Sequence, residues 1–429
     1  MTEERLIISR KTTNKFFLMI AIGVVLLIAG IIIAAMSSGG HHAEGHGEAA
    51  AAGHEAAHWS KRLYMNLWLN NVYFTGIALV GVFFVAVQYV AYAGWSVLIK
   101  RIPEAMGYYL PIGGAVMLIT FLLGGHDIFH WTHDYLYNQF LEDGVTPNPQ
   151  YDPIIAGKAP YLNFWFFLIR MIAYFVLWIL FFNWLRRNSI SEDLHGGTDY
   201  YHKSIRISAM FLVVFGVTSS TSAWDWVLSI DTHWFSTMFG WYVFASWWVS
   251  GLSVITLAVI VLKQNGYLKL VNANHLHDLG KFVFAFSIFW TYIWFSQFML
   301  IWYANIPEES LYFIERLGGN GGHFKWIFFT NLLINFAFPF LVLMTRDAKR
   351  QMIMLKIVTI AILIGHWLDF YLMMMPGTMR TDAGIGFIEI GTTLIFLGVY
   401  LITFTKGLTK ASLVPVNHPF VEESVHHHV

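Results

Sequence analysis

The residues able to do chemistry in this chain are few and sit among apolar neighbours, so their spacing carries information. The stretch Gly124-Gly125-His126-Asp127-Ile128-Phe129-His130-Trp131-Thr132-His133-Asp134 closes an apolar run. Continued as helix, it places His126, His130 and His133 on one face at i, i+4 and i+7, with Asp134 beside His130. Imidazole titrates near neutral pH, and a neighbouring carboxylate fixes its tautomer and raises its basicity, so such a face suits accepting a proton. A helix end that merely tolerates polar residues at an interface is the competing reading. Arg170 is read as the one cation inside a helix core, and Asp127, Asp225, Asp369 and Glu389 are its candidate partners. Such a pair serves either as a structural lock or as a step in a proton path. His366 and Asp369 lie three apart, on one helical face, and can pass a proton between them. Asp231 and His233 fall in a short connection, where solvated loop residues are the ordinary case. An ionisable group within a membrane costs at least about 2.5 kcal/mol on insertion scales, so each of these is a functional candidate by default.

The elements that must position them follow from composition. Of 429 residues, 57% are hydrophobic and only 12% charged, far too apolar for soluble domains of that length. Runs long enough to cross a bilayer as helix occupy 15–36, 69–93, 106–125, 162–185, 205–228, 236–262, 281–304, 324–345, 353–374 and 384–406. Open sheets cannot satisfy their backbone in lipid, and barrel strands would be half as long with alternating polarity. The expectation is an all-α polytopic membrane protein of about ten transmembrane helices. Lys and Arg concentrate in alternate connections, at Arg5 to Lys15, Lys100/Arg101, Arg186/Arg187, Lys203/Arg206, Lys263 to Lys281, Arg346 to Lys356 and Lys406/Lys410. The positive-inside bias makes these connections, and both termini, cytoplasmic.

The chain is expected to open with a cytoplasmic N-terminus and first anchor at 1–36, then a periplasmic His/Glu/Ala/Gly-rich linker at 37–66. Two four-helix bundles follow, helices two to five at 67–234 and helices six to nine at 235–375. The last transmembrane helix lies at 376–410 and a cytoplasmic tail at 411–429. The bundles hint at a parallel repeat, since Trp224-Asp225-Trp226 and Leu368-Asp369-Phe370 each set an aspartate among apolar or aromatic residues near the end of a fourth helix. The linker histidines hold a metal weakly or belong to a solvated spacer, and the tail with His426, His427 and His428 is either flexible or a docking segment. Cysteine is absent, which excludes disulfides, thiolate-held iron–sulfur clusters, c-type haem attachment and cysteine zinc sites in this chain. Nucleotide-binding and hydrolase motifs are missing, and the balanced charge argues against nucleic acid as a partner. The intramembrane histidines lack facing partners for a b-type haem.

The stretch from Ser222-Ala223-Trp224-Asp225-Trp226 to Ser229-Ile230-Asp231-Thr232-His233-Trp234, with His277-Asp278-Leu279-Gly280-Lys281-Phe282 and Trp294-Phe295-Ser296-Gln297-Phe298, resembles the NrfD/PsrC-like membrane subunits of alternative complex III, of the ActF type. The likeness extends from the second run to the tenth and leaves out linker and tail. It implies a subunit of a quinol:cytochrome c or quinol:oxidase oxidoreductase that is non-catalytic or contacts quinone, supporting quinol oxidation, proton transfer or both. It also implies partners: an ActC-like sister subunit, iron–sulfur and multihaem cytochrome c subunits that carry the clusters and haem c, and membrane lipid. Quinol, expected as menaquinol, is the substrate of the complex, and no cofactor is bound by this chain. A secondary transporter and a purely structural membrane subunit are the competing expectations.

Overall fold

The computed structural model describes residues 3–38, 48–141, 144–319, 324–380 and 383–428, apart from the side chains of 37–38 and 48–58. Linker residues His41, His42 and His46 and the loop carboxylates Glu142 and Asp143 lie outside the described residues, as do the side chains of His54 and His58. Among the described residues the chain is helical, with one isolated bridge between Phe140 and Pro147 and no strand. Ten helices among these residues are long and apolar enough to cross a membrane. They are α1 (Arg10–Met36), α2 (Trp59–Val90), α3 (Val97–Ile128), α4 (Phe164–His195), α5 (Asp199–Ile230), α6 (Phe239–Gln264), α7 (Ala273–Ala304), α8 (Lys325–Val342), α9 (Met352–Met379) and α10 (Phe387–Thr409). The protein is an all-α polytopic membrane protein, the arrangement that lets each backbone group bond within its own segment.

Eight of the ten helices form two closed rings of four. α2 packs on α3, α3 on α4, α4 on α5 and α5 back on α2, and the same order joins α6, α7, α8 and α9. The rings meet where α2 and α5 touch α6 and where α2 touches α9. Gly76 of α2 makes that contact close, since a Cβ there would lie 1.9 Å from the Trp247 indole of α6. Small residues let membrane helices approach where hydrophobicity alone gives no attraction. α10 packs on α2, and α1 packs on α10 through Gly23 and Gly391, each lacking room for a Cβ, which would meet the other's carbonyl oxygen at 2.7 Å.

Both termini lie at the same end. The Glu4 backbone N–H donates to Ser412 Oγ at 3.2 Å, and Leu413 N–H donates to Glu4 O at 2.7 Å. The tail is docked. Ser424 is fully buried and donates to Trp95 O at 2.8 Å, Asn417 donates to Asp193 O at 2.7 Å, and His427 Nε2 lies 2.6 Å from Asp278 Oδ2. These contacts reach α4 and α7, so the tail ties the two rings together.

Several boundaries differ from the hydropathy reading. Among the described residues the helix containing α2 runs from Glu48 to Val90, so the second half of the linker is helical. α9 runs through Pro376 to Met379, past the expected end of the second bundle. α8 holds a π-helical segment, Leu333–Ala337. Most consequential for the site, α3 stops at Ile128. Phe129 is extended (φ −110°, ψ 109°) and fully buried, packing edge-on against Trp68 at 5.2 Å. The chain then continues as two 3₁₀ turns, His130–Thr132 and Asp134–Leu136.

Candidate functional site

α4 starts at the end of the molecule opposite the termini. Asn163 caps it, accepting from Phe166 N–H at 2.9 Å, and this fixes where the first turns point. Arg170, on the second turn, reaches Asp225 near the end of α5. Nε donates to Oδ2 at 2.8 Å and Nη2 to Oδ1 at 2.9 Å, a fork-on-fork pair. Tyr174 donates to Oδ2 at 3.0 Å, and the Tyr161 ring lies 3.9 Å from the guanidinium. Of the four expected partners for Arg170, the structure selects Asp225. A groove of about 390 Å³ lined by Lys158, Tyr161, Trp224, Thr232, Trp234 and Phe235 shares Tyr161 with this pair.

Glu389 pairs elsewhere. Arg62 donates to both its oxygens at 2.7 Å, Asn66 adds a bond at 2.9 Å, and Gly386 N–H caps it at 2.8 Å, joining α2 to the start of α10. Asp231 is not a free loop residue either, because the buried Arg316 holds its Oδ2 at 3.0 Å. His233 Nε2 lies 2.5 Å from Asp152 Oδ2. Burial opposes ionisation of Asp152, but the Ile155 N–H and His233 outweigh it and hold the carboxyl below its ordinary range.

Asp369 differs from these carboxylates. It is fully buried on α9, and its bonds come from neutral donors on three other helices. Tyr242 and Ser246 of α6, Trp290 of α7 and Asn331 of α8 all donate to it, Ser246 at 2.6 Å, Trp290 at 3.0 Å and Asn331 at 2.7 Å. Asn335 donates to Asn331 Oδ1 at 2.5 Å. Among the described residues, no Lys or Arg pairs with Asp369. The fully buried His366 lies one turn away, its Nδ1 3.7 Å from Oδ2, and neither of its ring nitrogens has a hydrogen-bond partner among the described residues.

The α3 histidines do not share a helical face, since the helix ends before His130, yet their rings still gather. His126 lies 5.5 Å from His133, and His130 lies 5.8 Å from His133. Thr132 Oγ1 lies 2.9 Å from His126 Nδ1. Burial first and neighbouring histidine charge second push His130 and His133 below the ordinary imidazole value. Asp127 is half-buried beside them.

Two groups escaped the sequence reading. The neutral donors Tyr242, Ser246, Trp290, Asn331 and Asn335 carry no charge to flag them, although two asparagines four apart inside an apolar run are a usable signal. The second group adds buried cations to Arg170, which the sequence offered as the one cation inside a helix core. Lys100, Arg101 and Arg186, expected in solvated connections, are buried inside α3 and α4. Glu104 takes Arg101 at 2.8 Å and Arg186 at 2.5 Å, Glu192 takes Lys100 at 3.2 Å, and Asp193 pairs with Arg101. The cations sit where the helix ends touch, so three carboxylates replace the water that a loop would offer.

No family model matches the chain, and no curated protein matches it.

Proposed function

We propose that this chain is a membrane subunit of a respiratory quinol:cytochrome c or quinol:oxidase oxidoreductase of the NrfD/PsrC-like type, and that its second ring handles protons. The observation that carries this reading is Asp369, buried within the membrane region beside His366 and bonded by neutral donors alone. A buried carboxylate whose charge no cation matches has two accessible states, protonated and ionised, and so suits taking up and passing on a proton. The residue resemblance supplies the rest. Quinol, as menaquinol, is oxidised in the complex, and electrons leave through iron–sulfur and multihaem cytochrome c subunits beside an ActC-like sister subunit. The chain sits in a bacterial inner membrane with both termini cytoplasmic, as the Lys/Arg-rich connections at the termini end favour. Asp225, Asp369 and the His126, His130 and His133 cluster then fall toward the periplasmic side, where protons from quinol are released. The 390 Å³ groove beside Tyr161 has a volume ordinary for a small-molecule site and is the place for a quinone contact.

Each residue has a definite task in this reading. His366 and Asp369 exchange a proton, Tyr242 and Ser246 orient the carboxylate, and Arg170 holds Asp225 in place. The test is quinol-driven proton movement in vesicles carrying the assembled complex. Asp369→Asn is expected to lower it at least about tenfold with haem content unchanged. Unaltered proton movement would remove the basis of the proposal. A purely structural role is what the Arg170–Asp225 and Arg62–Glu389 locks favour for the first ring and α10.

A further inference from the structure

The two rings carry the same arrangement with one difference. Arg170 lies six residues past the first residue of α4, and Asn331 six residues past the first residue of α8. α4 holds the place in the first ring that α8 holds in the second. Each side chain reaches a carboxylate on the helix that follows, Arg170 to Asp225 on α5 and Asn331 to Asp369 on α9. Both carboxylates are buried, at 1% and 0% exposure, so solvent does not explain why one has a guanidinium and the other an amide.

We propose that Asn331 is the positioning residue that keeps Asp369 open to protonation, by placing a neutral amide where the first ring places a cation. The proposal rests on the proton-handling reading of Asp369. An amide donor steadies the carboxylate without cancelling its charge, whereas a guanidinium matches that charge outright. The surroundings hold this one amide in a fixed sense. Asn335 donates to Asn331 Oδ1, which commits the Asn331 NH₂ group to Asp369. Asn335 sits in the π-helical segment, and α9 offers Gly365 opposite it, where a Cβ would lie 2.1 Å from Asn335 Oδ1. π segments are rare and recur at functional sites.

The groups facing Asp369 are Tyr242 and Ser246 from α6, Trp290 from α7, Asn331 from α8 and His366 from its own helix. Tyr312 and Arg316, from the short helix Pro307–Arg316, line a small cavity with Tyr242, and Arg316 is already paired with Asp231. Among the described residues, the buried carboxylate of the second ring therefore has neutral donors where that of the first has a guanidinium.

Infrared titration of the purified complex tests this, alongside quinol-driven proton movement. The wild-type complex is expected to show a protonated-carboxyl C=O band that Asp369→Asn removes. Asn331→Arg is expected to remove the same band and to lower proton movement at least about tenfold, and Asn331→Gln to retain both. The converse change, Arg170→Asn, should create a new band that a further Asp225→Asn removes, and it decides the matter if Asn331→Arg does not assemble. A band that persists in Asn331→Arg, no new band in Arg170→Asn, or no wild-type band belonging to Asp369 would each overturn the proposal. Asp369→Asn separates the two levels. If it stops proton movement while Asn331→Arg keeps the band, the role of Asn331 falls and the proposed function stands. If it leaves proton movement intact, the proposed function itself falls.

Discussion

Asp225 and Asp369 meet the cost of a buried carboxylate in different ways, and that difference predicts different outcomes on substitution. Removing one partner of a buried, hydrogen-bonded pair costs about 3–5 kcal/mol, because the other charge is left stranded. Arg170→Gln is therefore expected to lower the thermal unfolding midpoint of the detergent-solubilised complex by several degrees, and an unchanged midpoint would contradict the lock. Asp369→Asn replaces a group held by neutral donors, so its stability cost should be smaller than its effect on proton movement. Much of this was legible in the residues. Arg170 needed a counter-charge, and Asp225 stood among the few candidates; His366 and Asp369 were paired by their spacing. What hid was neutral. Asn331, Tyr242 and Ser246 differ from their neighbours by one hydrogen-bonding group, and only the packing of four helices shows that they converge on one carboxylate.

Helices make those convergences possible, and the ends of helices are where sequence reading lost its grip. All ten spans could be counted from runs of apolar residues, because length and composition suffice for that. The stop of α3 at Ile128 could not, since it depends on Phe129 leaving helical geometry to fill a space between Trp68 and Phe167. Lys100, Arg101 and Arg186 looked like solvated flanks because each has a carboxylate partner on another helix, Glu192, Asp193 and Glu104 in turn. The docked tail gives a pH prediction. His418 is buried against the Tyr89 and Tyr201 rings, and burial, with Lys100 second, lowers its pKa to about 2. Freed, the ring has its ordinary value near about 6.5, so only the undocked tail takes up a proton as pH falls below that. Docking stability is thus complete above pH about 6.5 and declines as pH drops toward the bound value. Limited proteolysis of the tail should rise on acidification, and His418→Phe should remove the part of that rise due to this ring; the same rise in both proteins would contradict it. For α1, Gly391→Val is expected to loosen its contact with α10, read as lost cross-linking between cysteines placed on the two helices.

At the scale of the molecule, the two rings of four form a paired frame. The join is made close by Gly76 and is fastened at one end by the docked tail. A frame of this kind holds buried carboxylates steady, but it contains no cysteine with which to carry electrons through a cluster. Within the proposed function, partners must supply them. The most direct measurement is purification from native membranes in mild detergent through a tag on this chain, with the visible spectrum and quinol-driven reduction of cytochrome c recorded on the product. The account predicts haem bands, co-purifying iron–sulfur and cytochrome subunits, and quinol turnover. A colourless single chain, inactive with quinol, would contradict it.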